Sequence, residues 1–124
     1  MAEKHKNVLI VEDDLIISML EKKMLSKLGF NVYEPISFGE EALKAFKSRP
    51  VNLVIMDIAL EGEMNGIEAS QQIRETDPSV PIVFISGNID QFTNEINQLE
   101  GHNLSIPKPF TVNDLKDATN QIYK

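Results

Sequence analysis

Short apolar runs alternate along the chain with longer stretches in which apolar residues recur every three or four positions. The runs are rich in β-branched residues and lie at Val8–Val11, Val32–Tyr33, Val51–Met56, Ile82–Ile85 and Leu104–Ile106. Such runs are typical of buried strands, and the stretches between them predict amphipathic helices. Strands that alternate with helices indicate βαβ crossovers. We therefore expect an α/β fold with a doubly wound, five-stranded parallel sheet and five helices.

The first predicted helix, Leu15–Leu28, has apolar residues at steps of three and four positions. These residues, which define the expected core face, are Ile17, Leu20, Met24 and Leu28. The pattern predicts that Glu21 faces away from the core. Two further apolar residues on this helix, Ile16 and Met19, are interpreted as the edge of the core, with extra partner surface as the alternative.

Three later helices are predicted to begin at a polar residue that an acid follows three positions later, the pattern of a capping box. The pairs are Ser37 with Glu40, Asn65 with Glu68, and Thr111 with Asp114. The last two pairs precede helices predicted over Ile67–Thr76 and Leu115–Tyr123. The fourth helix, about Gln91–Glu100, is predicted from a sparse apolar stripe among helix-neutral threonine and asparagine residues.

The composition fits a single globular domain over residues 1–124, with 42 % hydrophobic and 25 % charged residues. Twelve basic and nineteen acidic residues leave a net charge of −7, which disfavours binding to nucleic acid or to anionic membranes. The sequence has no cysteine, so disulfides and thiolate metal sites are excluded. No segment approaches the ~20 apolar residues of a membrane span, and no signal peptide is recognisable. We expect a cytoplasmic protein.

Acidic side chains follow the first and third predicted strands. Glu12, Asp13 and Asp14 come after the first strand, and Asp57 comes after the third. Because the carboxyl ends of parallel strands meet at one rim, we expect several of these carboxylates to lie close together. A lone acid there more often caps the next helix, a role open to Asp13 or Asp14. Three carboxylates together would repel one another without a cation, and oxygen ligands favour Mg²⁺, with Mn²⁺ possible.

A hydroxyl and a lysine are predicted at the same rim. Ser86 ends the fourth strand, and Lys108 lies between two prolines that restrict its backbone after the fifth. Lys108 could hold a phosphoryl oxygen, and Ser86 could donate a hydrogen bond to another. Taken singly, each has an ordinary alternative, a solvated lysine and a turn serine.

Asp57 is the best candidate to carry a phosphoryl group. The six glycines are scattered, so no glycine-rich phosphate loop is present. The two histidines, His5 and His102, are isolated in the sequence and do not suggest a catalytic base. A carboxylate can attack phosphorus to form an acyl phosphate, and this reaction requires only a metal ion and an oriented donor. Asp57 would lie between the metal-binding acids and Lys108.

The ordered set of strand-end motifs resembles the receiver domain of two-component response regulators. The motifs are VLIVEDD, LVIMD, VFISG and PKPF, at the first, third, fourth and fifth strands. The resemblance covers essentially the whole chain. The chain is similar to single-domain, chemotaxis-regulator-like receivers. It implies a flavodoxin-like fold with strand order 2-1-3-4-5.

The resemblance also implies a role for each matching residue. Glu12 and Asp13 would be the acid pair that holds Mg²⁺, directly or through water. Asp57 would be the phosphoacceptor and a metal ligand, and Ala59 would add its backbone carbonyl to the metal site. Asp14 falls outside this acid pair and is expected to cap the following helix.

On the same resemblance, Ser86 would follow the phosphoryl group and Lys108 would form its ion pair, with a cis peptide between Lys108 and Pro109. Three departures affect the switch. Ser105 stands where receivers commonly have an aromatic residue, and the loop after the phosphoacceptor is longer than the commonest form. Ala59 and Asn88 flank the expected path of attacking water and should influence the lifetime of the acyl phosphate.

The function that the resemblance implies is a phosphorylation switch. A sensor histidine kinase or a histidine phosphotransfer protein would donate a phosphoryl group to Asp57 in the presence of Mg²⁺. The protein would assist only its own phosphorylation and dephosphorylation and would not otherwise be an enzyme. We expect a monomer or weak dimer without an output domain, which signals to an unknown downstream protein.

Two alternatives come from other functional classes. One is a receiver-like scaffold that is never phosphorylated, which the missing aromatic at Ser105 keeps open. The other is a small Mg²⁺-dependent phosphatase with an aspartyl-phosphate intermediate. Such phosphatases usually have a second acid two residues after the nucleophile, where this chain has Ala59.

Overall fold

The computed structural model describes residues 6–123, which form a five-stranded parallel sheet in the order β2-β1-β3-β4-β5. The strands are β1 (Asn7–Val11), β2 (Asn31–Val32), β3 (Leu53–Asp57), β4 (Ile82–Ser86) and β5 (Asn103–Pro107). The predicted fold class and strand order are therefore confirmed, with strand ends shifted by one or two residues. His5 lies outside the described residues.

Within residues 6–123, five α-helices connect or follow the strands. They are α1 (Leu15–Lys27), α2 (Ala42–Ser48), α3 (Gly66–Thr76), α4 (Thr93–Gln98) and α5 (Val112–Ile122). The 3₁₀ turns Gly39–Glu41 and Ile89–Phe92 precede α2 and α4, so α4 is shorter than the predicted helix. The length and hydrophobicity that would let a helix cross a membrane are found in none of the described helices.

Two of the three predicted capping boxes are confirmed, and one is wrong. Full capping boxes form at the starts of α3 and α5, where Asn65 pairs with Glu68 and Thr111 pairs with Asp114. The box predicted at Ser37 is wrong, because Phe38 precedes the 3₁₀ turn and makes no side-chain cap. The acid of that predicted box, Glu40, instead accepts a hydrogen bond from a backbone amide of a distant loop.

The hydrophobic core has two layers, one on each face of the sheet. Alternate residues of a strand point to opposite faces, so Leu9 packs with α2 and α3 whereas Ile10 packs with α1 and α5. β3 and β4 are buried along their whole length. This explains why they read as nearly continuous apolar runs rather than as alternating patterns.

The buried face of helix α1 only partly matches the predicted one, because Met24 and Leu28 pack against the core whereas Leu20 is 47 % exposed. Leu25 is fully buried, and Glu21 is only 1 % exposed although it was predicted to face away from the core. Ile16 and Met19 are 73 % and 64 % exposed, so their assignment to the edge of the core is also wrong. The first two turns are apolar at nearly every position, and periodicity alone therefore does not define one face there.

Arg74 of α3 ties together the amino-terminal ends of β4 and β5. Its buried guanidinium donates hydrogen bonds to the backbone carbonyls of Val80 and His102, and to the Asn103 side-chain oxygen at 2.6 Å. A Cβ on Gly101 would lie 2.8 Å from the guanidinium carbon. The one arginine or lysine between Val51 and Pro107 thus has a structural role, at the rim opposite the strands' carboxyl ends.

We predict that Arg74→Met lowers the free energy of unfolding by about 3 kcal/mol, because the buried Val80 carbonyl loses its guanidinium donor and the half-buried His102 and Asn103 oxygens each lose a hydrogen bond. Urea unfolding followed by circular dichroism measures this change. Lys116→Met is the control, because Lys116 is exposed on α5 and its side chain makes no hydrogen bond to residues 6–123. Equal stability of the two variants would contradict the structural role of Arg74.

Candidate functional site

Three carboxylates converge where β1 and β3 end. Pairing of Val11 with Met56 brings the carboxyl ends of these strands level. Glu12 and Asp13 follow β1, and Asp57 is the last residue of β3. One oxygen from each of the three carboxylates lies within 4.8 Å of the others, and two of the three side chains are buried. The structure therefore brings together the acids that the sequence singled out.

Lys108 reaches into this acid cluster from the loop after β5. Its Nζ lies 3.1 Å from an oxygen of Glu12 and 3.4 Å from an oxygen of Asp57. The Lys108 backbone amide donates to the Ser86 carbonyl at 2.9 Å, which fixes the start of the loop beside β4. The peptide bond to Pro109 is cis. One ammonium group is therefore shared between two buried carboxylates.

The burial of these charged groups close together shifts their pKa values. Burial raises the pKa of Glu12 from 4.5 to about 7, against a hydrogen bond from the Asp14 amide that lowers it. Burial also raises the pKa of Asp57, and the Lys108 ammonium partly offsets that rise. Burial disfavours the charge on Lys108, but Asp57 and Glu12 together raise its pKa. A second cation would relieve the remaining repulsion.

The loop between β3 and α3 lies beside the acids. The Glu61 amide donates to the Asp13 carboxylate at 2.9 Å, and Ala59 is exposed between Asp57 and that contact. At the end of the loop, a Cβ on Gly66 would lie only 2.1 Å from the Asp57 carbonyl oxygen. Glycine at this position therefore lets α3 begin directly against the end of β3.

Ser86 and Asn88 lie on the neighbouring loop after β4. The buried Ser86 hydroxyl accepts a hydrogen bond from the Asn88 amide at 3.0 Å and makes none to the acid cluster among the described residues. Ser105 is exposed on β5, opposite Phe84 of β4. Asp14 caps α1 by accepting hydrogen bonds from the amides of the next turn, as expected.

Sequence reasoning missed two acidic residues near this site. Glu21 is buried on α1, and its Oε1 has no hydrogen-bond partner among the described residues. Burial and, to a smaller extent, the nearby charge of Glu12 raise the pKa of Glu21 to about 8, although Lys108 opposes the rise. Glu40 was assigned to a helix cap but contacts the loop after β3. Neither role has a local sequence signature.

Comparison with known proteins identifies relatives along nearly the whole chain. Residues 8–120 match the family described as response regulator receiver domain. Chemotaxis protein CheY from Thermotoga maritima is 33 % identical over 120 residues, which cover 96 % of this chain and 98 % of that protein. The autoinducer 1 sensor kinase/phosphatase LuxN from Vibrio campbellii is 38 % identical over 110 residues, 88 % of this chain but only 12 % of that protein.

The fold also matches a solved structure. The receiver domain of sensor histidine kinase PA1611 from Pseudomonas aeruginosa superimposes with a TM-score of 0.82 at 23 % sequence identity. The match covers 94 % of this chain and 96 % of that domain. At this level of identity, the similarity concerns the fold alone.

We predict that Glu21→Gln stabilises the protein above about pH 5. A folded-state pKa of about 8, against an ordinary value of 4.5, means that the folded protein binds more protons between these values. The stability of the wild type therefore falls as pH rises through this window, whereas an amide at this position does not titrate. At pH 7 we expect a gain of about 3 kcal/mol in the free energy of unfolding.

Urea unfolding of both proteins at several pH values between 4.5 and 8 measures this effect. Glu75→Gln on α3 is the matched control, because Glu75 is exposed. Parallel stability profiles for the wild type and Glu21→Gln would show that Glu21 does not carry the expected proton.

Proposed function

Because the chain belongs to the response regulator receiver family of two-component systems, we propose that it is a phosphorylation switch whose phosphoacceptor is Asp57. The observation that carries the proposal is the shared contact of Lys108 with Glu12 and Asp57 in a buried acid cluster. The site then places side by side a carboxylate nucleophile, further acids that could bind a metal ion, and a cation that could bind the phosphoryl group. This set serves phosphoryl transfer, in which positioning and charge stabilisation supply most of the catalysis.

The donor chemistry of the site fits Mg²⁺, with Mn²⁺ as a possible substitute. Glu12, Asp13 and Asp57 offer hard oxygen ligands within 4.8 Å of one another, and the exposed Ala59 would add its backbone carbonyl. A bound divalent cation would neutralise charge on the acids and on the transferring phosphoryl group. The PA1611 receiver has a magnesium ion coordinated in its active site cleft, although for this chain the proposal depends on its own carboxylates.

In the proposed transfer, an Asp57 oxygen attacks the phosphorus of a phosphohistidine on a sensor histidine kinase or histidine phosphotransfer protein. The new O–P bond forms as the P–N bond breaks, and the electron pair returns to the imidazole nitrogen. Lys108 keeps Asp57 ionised for the attack and then pairs with an oxygen of the phosphoryl group. Water later hydrolyses the acyl phosphate, and Ala59 and Asn88 flank its path.

The phosphoryl group adds negative charge beside Lys108 and Ser86. The Ser86 hydroxyl now accepts from the Asn88 amide, and its own proton is available for a phosphoryl oxygen. A movement of Ser86 would pull on the loop that leads to the 3₁₀ turn Ile89–Phe92 and the short helix α4. To move from mostly inactive to mostly active, phosphorylation must favour the active state by roughly 5 kcal/mol.

The remaining expectations follow from this function. The protein acts only on its own acyl phosphate, signals by protein contact, and works in the cytoplasm as a monomer or weak dimer. A net charge of −7 disfavours nucleic acid as a partner. Ala59 supplies no second acid for a phosphatase, and the complete acid and lysine set argues against an unphosphorylated scaffold.

We predict that incubation with Mg²⁺ and a small acyl-phosphate donor adds one phosphoryl group to the wild type, as measured by intact mass. Asp57→Asn should remain unmodified, because it lacks the nucleophilic carboxylate, and a metal chelator should prevent the reaction. If the small donor fails, a phosphorylated histidine kinase replaces it. Failure of both donors, or modification of Asp57→Asn at the wild-type rate, would contradict the proposal.

A further inference from the structure

Two carboxylates hold the backbone of the β3–α3 loop from different sides. Asp13 accepts the hydrogen bond from the Glu61 amide at 2.9 Å. Glu40, from the 3₁₀ turn before α2, accepts from the Met64 amide at 3.1 Å. These contacts join segments 48 and 24 residues apart in sequence. Two side chains from outside the loop thus add to the backbone hydrogen bonds that the loop makes to the Ile58 carbonyl.

The turn that carries Glu40 also packs tightly against the same loop. A Cβ on Gly39 would lie 2.7 Å from the Met64 carbonyl oxygen and 3.3 Å from a Leu60 methyl carbon. Within the loop, Gly62 has a φ of +98°, and a Cβ there would lie 2.9 Å from a Glu40 carboxylate oxygen. Glycine at both positions allows the turn and the loop to approach each other this closely.

We propose that Glu40 is a positioning residue of the metal site, which holds the β3–α3 loop so that the Ala59 carbonyl faces the acid cluster. The inference rests on the proposed function, in which Ala59 is a metal ligand. Ala59 lies between Asp57, which is fixed in the sheet, and the amides held by Asp13 and Glu40. In the proposed site, Asp13 would bind both the Glu61 amide and the metal ion, whereas Glu40 binds only the Met64 amide of the loop.

The hydrogen bond from the Met64 amide, rather than the negative charge of Glu40, explains why the Glu40 side chain lies beside the loop. The loop already carries Glu61 and Glu63, so a further carboxylate nearby is repelled unless an amide donates to it. Glu40 is also exposed, and its loss leaves no buried group unsatisfied in the core. Its removal should therefore loosen the loop without unfolding the protein.

The test compares Glu40→Ala with Glu40→Gln, which keeps a side-chain oxygen that can accept the Met64 amide. Glu41→Ala is the matched control, because Glu41 is the next residue and its side chain makes no hydrogen bond to residues 6–123. Two readouts are used, the Mg²⁺ dissociation constant by calorimetry and the hydrogen exchange rate of the Met64 amide in metal-free protein. The second readout requires neither metal nor phosphorylation.

We expect Glu40→Ala to raise the Mg²⁺ dissociation constant about fivefold, below the ~10–100-fold typical of buried outer-shell partners because Glu40 is exposed. Exchange at Met64 should accelerate about tenfold in this variant. Glu40→Gln and Glu41→Ala should stay within about twofold of the wild type in both readouts. At saturating Mg²⁺, phosphorylation of Glu40→Ala should approach the wild-type rate, which separates loop positioning from chemistry.

The outcomes distinguish this inference from the proposed function. Equal Mg²⁺ affinity and equal Met64 exchange in Glu40→Ala and Glu41→Ala would overturn the positioning role. The absence of Mg²⁺ binding by the wild type would also overturn it. If Glu40→Ala does not fold, weaker Mg²⁺ binding by Glu40→Gln than by the wild type would overturn it as well. If the wild type binds Mg²⁺ and the variants give the expected Mg²⁺ affinities and Met64 exchange rates, but Asp57 accepts no phosphoryl group, the proposed function fails while the positioning role stands.

Discussion

The ammonium group of Lys108, shared between two buried carboxylates, is the interaction on which the site depends. Burial alone would drive Glu12 and Asp57 towards their protonated forms. A single positive charge offsets only part of that cost, so the folded protein retains an unbalanced negative site. In the proposed function, this imbalance would favour the binding of a divalent cation beside Asp57.

The fold meets this electrostatic demand by bringing strand ends together. A parallel sheet places the ends of β1, β3 and β4 and the loop after β5 at one rim, although they are distant in sequence. Residues other than the acids keep this arrangement in place. Arg74 ties β4 to β5 at the opposite rim, and Gly66 lets α3 begin against the end of β3. Arg74 and Gly66 thus help to hold the strand ends that position the charged side chains of the site.

The sequence predicted those parts of the structure that local chemistry determines. Two capping boxes and the convergence of Glu12, Asp13 and Asp57 follow from short patterns and from the geometry of parallel sheets, whereas the strand order was implied by the resemblance to receiver domains. The buried face of α1 could not be predicted, because an apolar first half offers several faces and tertiary packing chooses one that buries Glu21. The contact of Glu40 was missed because its partner amide lies 24 residues away.

The charge balance of the site can be tested directly by carbon-detected NMR titration of the Glu12 and Asp57 carboxyl groups with and without Mg²⁺. We expect both pKa values to lie above their usual ranges in the metal-free protein, with Glu12 near 7. Added Mg²⁺ should lower both values, because a cation stabilises the ionised forms. Titration of both groups at ordinary values, or pKa values that do not change with Mg²⁺, would contradict the account.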